Sequence, residues 1–218
     1  MKSKSIFITA KEWFEGSSLR NPVAGTDHKL EQIFPDFYCV SYDTKLLATK
    51  EEKQALFEDD HRKRFGTNDI CALDAAIVDC GGRYVFLNGF DQEQFSYIAP
   101  KIKDTAEILY LFKCPRIHDL SVLSQFSKIK CVHIFWNNSL ERLWDMTGNK
   151  QLKVISFAAI SKLNRIETLK YSGVEYISLD SADNNGHTKK ALFDTSVFEQ
   201  MPQLKHLSLN YSACKVDY

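Results

Sequence analysis

The stretch "AEILYLFKCPRIHDLSVLSQFSKI", Ala106 to Ile129, changes rhythm partway. Apolar residues first alternate, at Leu109 and Leu111. They then return at every third position, at Ile117, Leu120, Leu123, Phe126 and Ile129. Alternation marks a strand with one buried face. A period of three is tighter than the 3.6 residues of an α-helix and predicts 3₁₀-like or irregular turns that carry the chain back. One strand plus one return segment is a unit too small to bury its own apolar side.

The rhythm recurs. Apolar pairs two residues apart stand at Val85/Leu87, Leu109/Leu111, Val132/Ile134, Ile155/Phe157, Ile177/Leu179 and Leu207/Leu209. Their first members are 24, 23, 23, 22 and 30 residues apart. Another apolar residue lies three before most pairs, at Ala106, Ile129, Leu152, Val174 and Leu204. Thirds also follow the later pairs, at Leu140, Leu143, Met146 and Leu152, then at Leu163, Ile166 and Leu169. An ordinary βαβ domain would need return segments with i, i+3, i+4, i+7 spacing, which these show poorly.

At these positions residues 83–218 resemble the leucine-rich repeat family, with its L-x-x-L-x-L-x-x-N/C-x-L signature. The ninth position of successive units holds Cys114, Asn137, Ile160, Ala182 and Ser212. Two of these match the family's Asn or Cys, and the next apolar residue comes one place late. The resemblance implies an α/β solenoid: a curved parallel sheet with one short strand per repeat, and 3₁₀ or irregular return segments on the outside. "DSADNNGHTKK", Asp180–Lys190, accounts for the long last step as a polar surface loop. It is no calcium loop: with Gly186 at position six of an EF-hand, Ser181 and Leu192 would fall at positions one and twelve.

Residues 1–82 lack the repeat and read as an amino-terminal cap or small α/β subdomain over the open end of the solenoid. "SIFITA" and "FYCVSY" are strand candidates. Thr49–Phe65 is a helix candidate, with Thr49 and Glu52 as a capping box and Gly66 as its stop. "AAIVDC", Gly81-Gly82 and "RYVFLN" predict a hairpin that lays Ala75–Cys80 antiparallel to the first repeat strand. "NPVAGTDH" reads as a loop.

Composition narrows the function. Lys plus Arg equals Asp plus Glu, 28 each, which argues against a protein that tracks phosphates and so against nucleic acid as a partner. The apolar run Ser5–Ala10 is too short for a signal peptide, and no later run reaches the length of a membrane span. The expectation is a cytoplasmic chain with no membrane partner. The six cysteines form no C-x-x-C pair and match no zinc pattern; they read as reduced, buried residues. Phosphate-binding glycine loops, H-E-x-x-H and G-x-S-x-G are all missing, and the histidines are scattered. No catalytic residue, cofactor or metal is assigned, and the chain is expected not to be an enzyme.

With the repeated pairs turned inward, their neighbours face the other side of the sheet. There the sequence is aromatic: Tyr84 and Phe86, then Tyr110 and Phe112, then His133, Phe135 and the adjoining Trp136, with Tyr176 outlying. The family resemblance implies protein recognition by this concave face. The leading expectation is a non-enzymatic module that binds another protein, an adaptor or a neutralising partner. In one alternative the amino-terminal subdomain, or a symmetry-related second copy, already covers the same face. Two further readings stand beside it: a ligand-binding or enzymatic site around Asp27, His28 and "EDDHRKR" (Glu58–Arg64), and a self-associating unit that dimerises through its carboxyl-terminal end.

Overall fold

The computed structural model describes residues 7–9, 38–43, 84–88, 90–182 and 187–212. They form an α/β structure built on one sheet. Its strands are β1 (Phe7–Thr9), β2 (Tyr38–Asp43), β3 (Tyr84–Asn88), β4 (Ile108–Phe112), β5 (Cys131–Asn137), β6 (Val154–Ile160), β7 (Tyr176–Asp180) and β8 (His206–Asn210). Spatial order follows chain order from β1 to β8. Only the β1–β2 pair is antiparallel; from β2 onward every pair is parallel. Both strand candidates from residues 1–82 thus lie in the same sheet as the repeats. The helix candidate Thr49–Phe65 and the loop "NPVAGTDH" fall outside the described residues.

The apolar pairs set the register. Val85, Leu109, Val132, Ile155, Ile177 and Leu207 stand side by side across six strands. Leu87, Leu111, Ile134, Phe157, Leu179 and Leu209 form a second row. A slip of one residue would turn every one of these side chains to the other face, so burial of one face locks the alignment. The rows join the thirds of the return segments in one core, in which Leu111, Ile117, Leu123, Phe126, Ile134, Leu140 and Leu152 are wholly buried.

Two sequence expectations are corrected. The hairpin is excluded, because β3 has β2 on one edge and β4 on the other, which leaves none for Ala75–Cys80. The first return segment is a true α-helix, α1 (Gln92–Ile102), rather than 3₁₀ or irregular. Asp91 and Gln94 form a reciprocal capping box, and the buried Phe95, Ile98, Ala99 and Ile102 keep i, i+3, i+4, i+7 spacing. The later segments follow the period of three. Short 3₁₀ turns span Ser121–Gln125, Glu167–Tyr171 and Thr195–Gln200, and the segment after β5 has no helix.

Two asparagines hold the turns. Asn137, fully buried at the exit of β5, donates from Nδ2 to the carbonyls of Cys114 (2.8 Å) and Ile117 (2.7 Å). Its Oδ1 accepts from the N–H groups of Ser139 and Leu140, both at 2.8 Å. One side chain thus satisfies four backbone groups that belong to no strand or helix. On the return side, Asn149 donates to the carbonyls of Leu123 and Phe126 and accepts from the indole N–H of the buried Trp144.

Charge lines the strand entrances. Glu107, Lys130, Lys153, Glu175 and Lys205 each precede a strand and are joined in sequence by backbone hydrogen bonds. Their side chains pair across the sheet: Lys130 with Glu107 at 2.6 Å, Lys153 with Glu175 at 2.7 Å, and Lys205 with the other Glu175 oxygen. The hydrogen bonds from Lys153 and Lys205 hold the Glu175 carboxyl below its usual range.

Two outcomes are expected. Asn137→Ala strands two carbonyls and two N–H groups in the core, and should lower unfolding free energy by about 3–5 kcal/mol in urea titrations. Because the folded carboxyl of Glu175 titrates below its unfolded value of about 4.3, its contribution is present above that pH and is lost as pH falls through the folded value. Wild type should therefore lose more stability than Glu175→Gln between about pH 5 and pH 3, measured as the urea midpoint at each pH.

Candidate functional site

The sheet's second face carries three rows. The entrance row runs Tyr84, Ile108, Cys131, Val154, Tyr176, His206. The middle row runs Phe86, Tyr110, His133, Ser156, Ser178, Ser208. The exit row runs Asn88, Phe112, Phe135, Ala158. The side chains of Tyr84, Phe86 and Asn88 lie outside the described residues.

Solvent reaches the rows unequally. Ile108, Cys131 and Val154 in the entrance row are buried, and so are Tyr110, His133, Ser156 and Ser178 in the middle row. The buried apolar residues among them do not belong to the core on the first face. A single copy of the chain thus excludes solvent on both sides of the sheet at these strands. Tyr110 stands edge-on to the His133 ring, with centroids 4.2 Å apart. Burial pushes the Cys131 thiol far above its ordinary range and leaves it a neutral, unreactive small hydrophobe. The buried Ser156 hydroxyl has no hydrogen-bond partner among the described residues, so it is not joined to its row neighbour His133 as a nucleophile is to its base.

The exit row is different. Phe112, Phe135, Trp136 and Ala158 are half-buried. Phe112 and Phe135 stack with ring centroids 5.3 Å apart and planes 20° from parallel. The Lys113 ammonium stands 5.2 Å from the Phe112 ring and 5.5 Å from the Trp136 ring, within reach of both π faces. The eight residues singled out from sequence therefore divide. Tyr110 and His133 are interior; Phe112, Phe135 and Trp136 form one ridge where the strands end. Tyr176 is half-buried at the opposite end of its strand. The alternative cluster, Asp27, His28 and Glu58–Arg64, lies outside the described residues.

A repeated backbone turn builds the ridge. Lys113, Trp136 and Ala159 have φ of 50°, 59° and 56°, the left-handed region that L-residues seldom enter. Each directly follows an exit-row residue, and the Lys113 N–H donates to the Phe135 carbonyl at 2.8 Å. Each inserts one extra residue, so the next inward side chain comes three after the apolar pair, at Cys114, Asn137 and Ile160, all fully buried. β7 and β8 lack the turn and simply keep alternating. Their inward side chains come two after the pair, at Ser181 and Tyr211, not at the half-buried Ala182 and exposed Ser212 that the repeat spacing predicts. The Ser181 hydroxyl donates to the Asn210 carbonyl and accepts from the Lys189 N–H, and Tyr211 donates to the Ile160 carbonyl.

Sequence reasoning passed over Lys113. Its signal was its place 23 residues before Trp136, at the same point of the repeat. No group of three or more His, Cys, Asp or Glu among the described residues is placed to hold a metal ion. No helix among them is long and apolar enough to cross a membrane.

The left-handed turn carries a sign test. Ala159→Gly removes a Cβ from an unfavourable backbone conformation and should stabilise the protein by about 0.5–1 kcal/mol. The adjacent Ala158→Gly, in an extended conformation, should destabilise it by about the same amount; thermal unfolding of the two variants reads the difference. No family model, no curated protein and no solved structure matches this chain.

Proposed function

We propose that the chain is a leucine-rich-repeat solenoid that binds another protein through the aromatic ridge at the strand exits, and that it acts without catalysing a reaction. In support of the solenoid are the spacing of 22 to 24 residues between most strands, their unbroken side-by-side register and the four bonds of Asn137 at the ninth position of its unit. Residues 83–218 make up the repeat array, and residues 1–82 add the amino-terminal cap.

The observation that carries the binding role is the ridge itself. Two stacked phenylalanines, a tryptophan and a lysine stand half-exposed on rigid strands, next to aromatics that are already buried. Aromatic and cationic side chains held in one conformation lose little freedom on docking and dominate binding energies. Phe135 and Trp136 are the anchors. Lys113 favours a partner that brings a carboxylate or a further aromatic ring to the same spot.

The test compares wild type with Phe135→Ala/Trp136→Ala as bait in lysate of the source cell, once circular dichroism shows both folded. Truncating anchors of this kind costs about 2 kcal/mol or more apiece. A protein held by wild type should therefore be lost from the double variant, and weakened by Lys113→Glu. Equal retention by all three baits would move the binding site off the ridge.

A further inference from the structure

We infer that the β8 edge pairs with the same edge of a second copy, joining two sheets across a two-fold axis. The inference is independent of the ridge, which lies on other strands.

Among the described residues β8 is the last strand of the sheet, with β7 on one side. The His206 N–H bonds to the Glu175 carbonyl, and the Asn210 carbonyl accepts from Ser181. In a parallel ladder only alternate residues turn their backbone groups toward a given neighbour. His206, Ser208 and Asn210 therefore face β7, while Leu207 and Leu209 direct their N–H and C=O groups outward. Their side chains are also less covered than those of their row mates. Leu204, Leu207 and Leu209 are only partly buried, whereas Val174, Ile177 and Leu179 one unit earlier are fully buried. An edge with outward backbone groups and uncovered leucines is a template for another strand.

The strand's own sequence selects a second copy as the occupant. "HLSLN", His206–Asn210, has a palindromic pattern: polar, Leu, Ser, Leu, polar. Antiparallel pairing centred on Ser208 places Leu207 opposite Leu209 of the second copy, and Leu209 opposite its Leu207. These are the residues whose backbone groups point outward, so each pair exchanges two hydrogen bonds and the junction has four. The leucines also meet on the core side, so each copy adds cover to the partly buried Leu207 and Leu209 of the other. On the opposite face His206 meets Asn210, a donor–acceptor match, and on the core side Lys205 falls opposite Tyr211 rather than another lysine. The pairing is isologous and closes at two copies, so it builds no fibre.

Sedimentation equilibrium of the full chain reads this directly. Wild type should move with concentration from 25.1 kDa toward twice that mass. Leu209→Pro removes an outward N–H while keeping the bonds to β7, and so deletes two of the four junction bonds. It should weaken the dimer by about thirtyfold. Ser208→Lys places two ammonium groups at the two-fold and should also favour monomer. Phe135→Ala/Trp136→Ala should leave the dimer unchanged. In wild type, the amide protons of Leu207 and Leu209 should exchange more slowly as concentration rises, a readout that needs no variant to fold. A monomer at every concentration overturns the inference. So does a dimer that withstands both β8 substitutions, or one in which those two amides gain no protection.

Discussion

A chain that leaves a parallel strand and turns back beneath the sheet exposes backbone groups that neither strand nor helix can satisfy. In this protein that turn happens in the interior, where an unpaired carbonyl or N–H costs about 1–3 kcal/mol. Asn137 answers the difficulty with four hydrogen bonds to two neighbouring units, through a side chain wholly out of solvent. Cys114 does the same more weakly one unit earlier, where its thiol lies 3.5 Å from the Leu87 carbonyl. The apolar rows can lie flush only because these turns are satisfied. The rows then fix which side chains are left for the opposite face.

That opposite face is no uniform surface. Toward the strand entrances, large residues such as Ile108 and Tyr110 are interior, while at the exits the aromatics remain half in water. The Glu107–Lys130 and Lys153–Glu175–Lys205 pairs edge the entrances with hydrogen-bonded charge. Binding chemistry and packing chemistry therefore share one sheet, separated along the strand direction by only a few residues.

Much of this was legible in the sequence, and the reasons for the failures are physical. The apolar pairs in "ILYLF", "CVHIFWN" and "VISFAAI" marked strands and register because burial of one face is a strong periodic signal. A period of three in the later units did not carry back to α1, although "DQEQFSYIAPKI" bears both a capping box and helical spacing. Two glycines between apolar runs suggested a hairpin, but turn chemistry is local and says nothing of β2, which arrives from far earlier in the chain to occupy that edge. The candidate site was legible by face, since alternation assigns each side chain to a side. It was not legible by depth, because what lies over Tyr110 and His133 is set by tertiary packing. The left-handed turns were hidden as well, since lysine, tryptophan and alanine do not advertise a positive φ.

The segment between β7 and β8 has a consequence for how such a chain varies. Ile177 and Leu207 are 30 residues apart, yet they stand side by side as neatly as pairs 22 or 23 apart. Strand phase is counted afresh at each turn, so extra residues on the return arc are absorbed outside the sheet. One extra residue within a strand must be taken up by a kink such as that at Trp136, or it inverts the whole strand. Insertions and deletions are therefore tolerated on one side of the molecule and forbidden on the other, and the return arcs are where this chain can acquire new length without losing its frame.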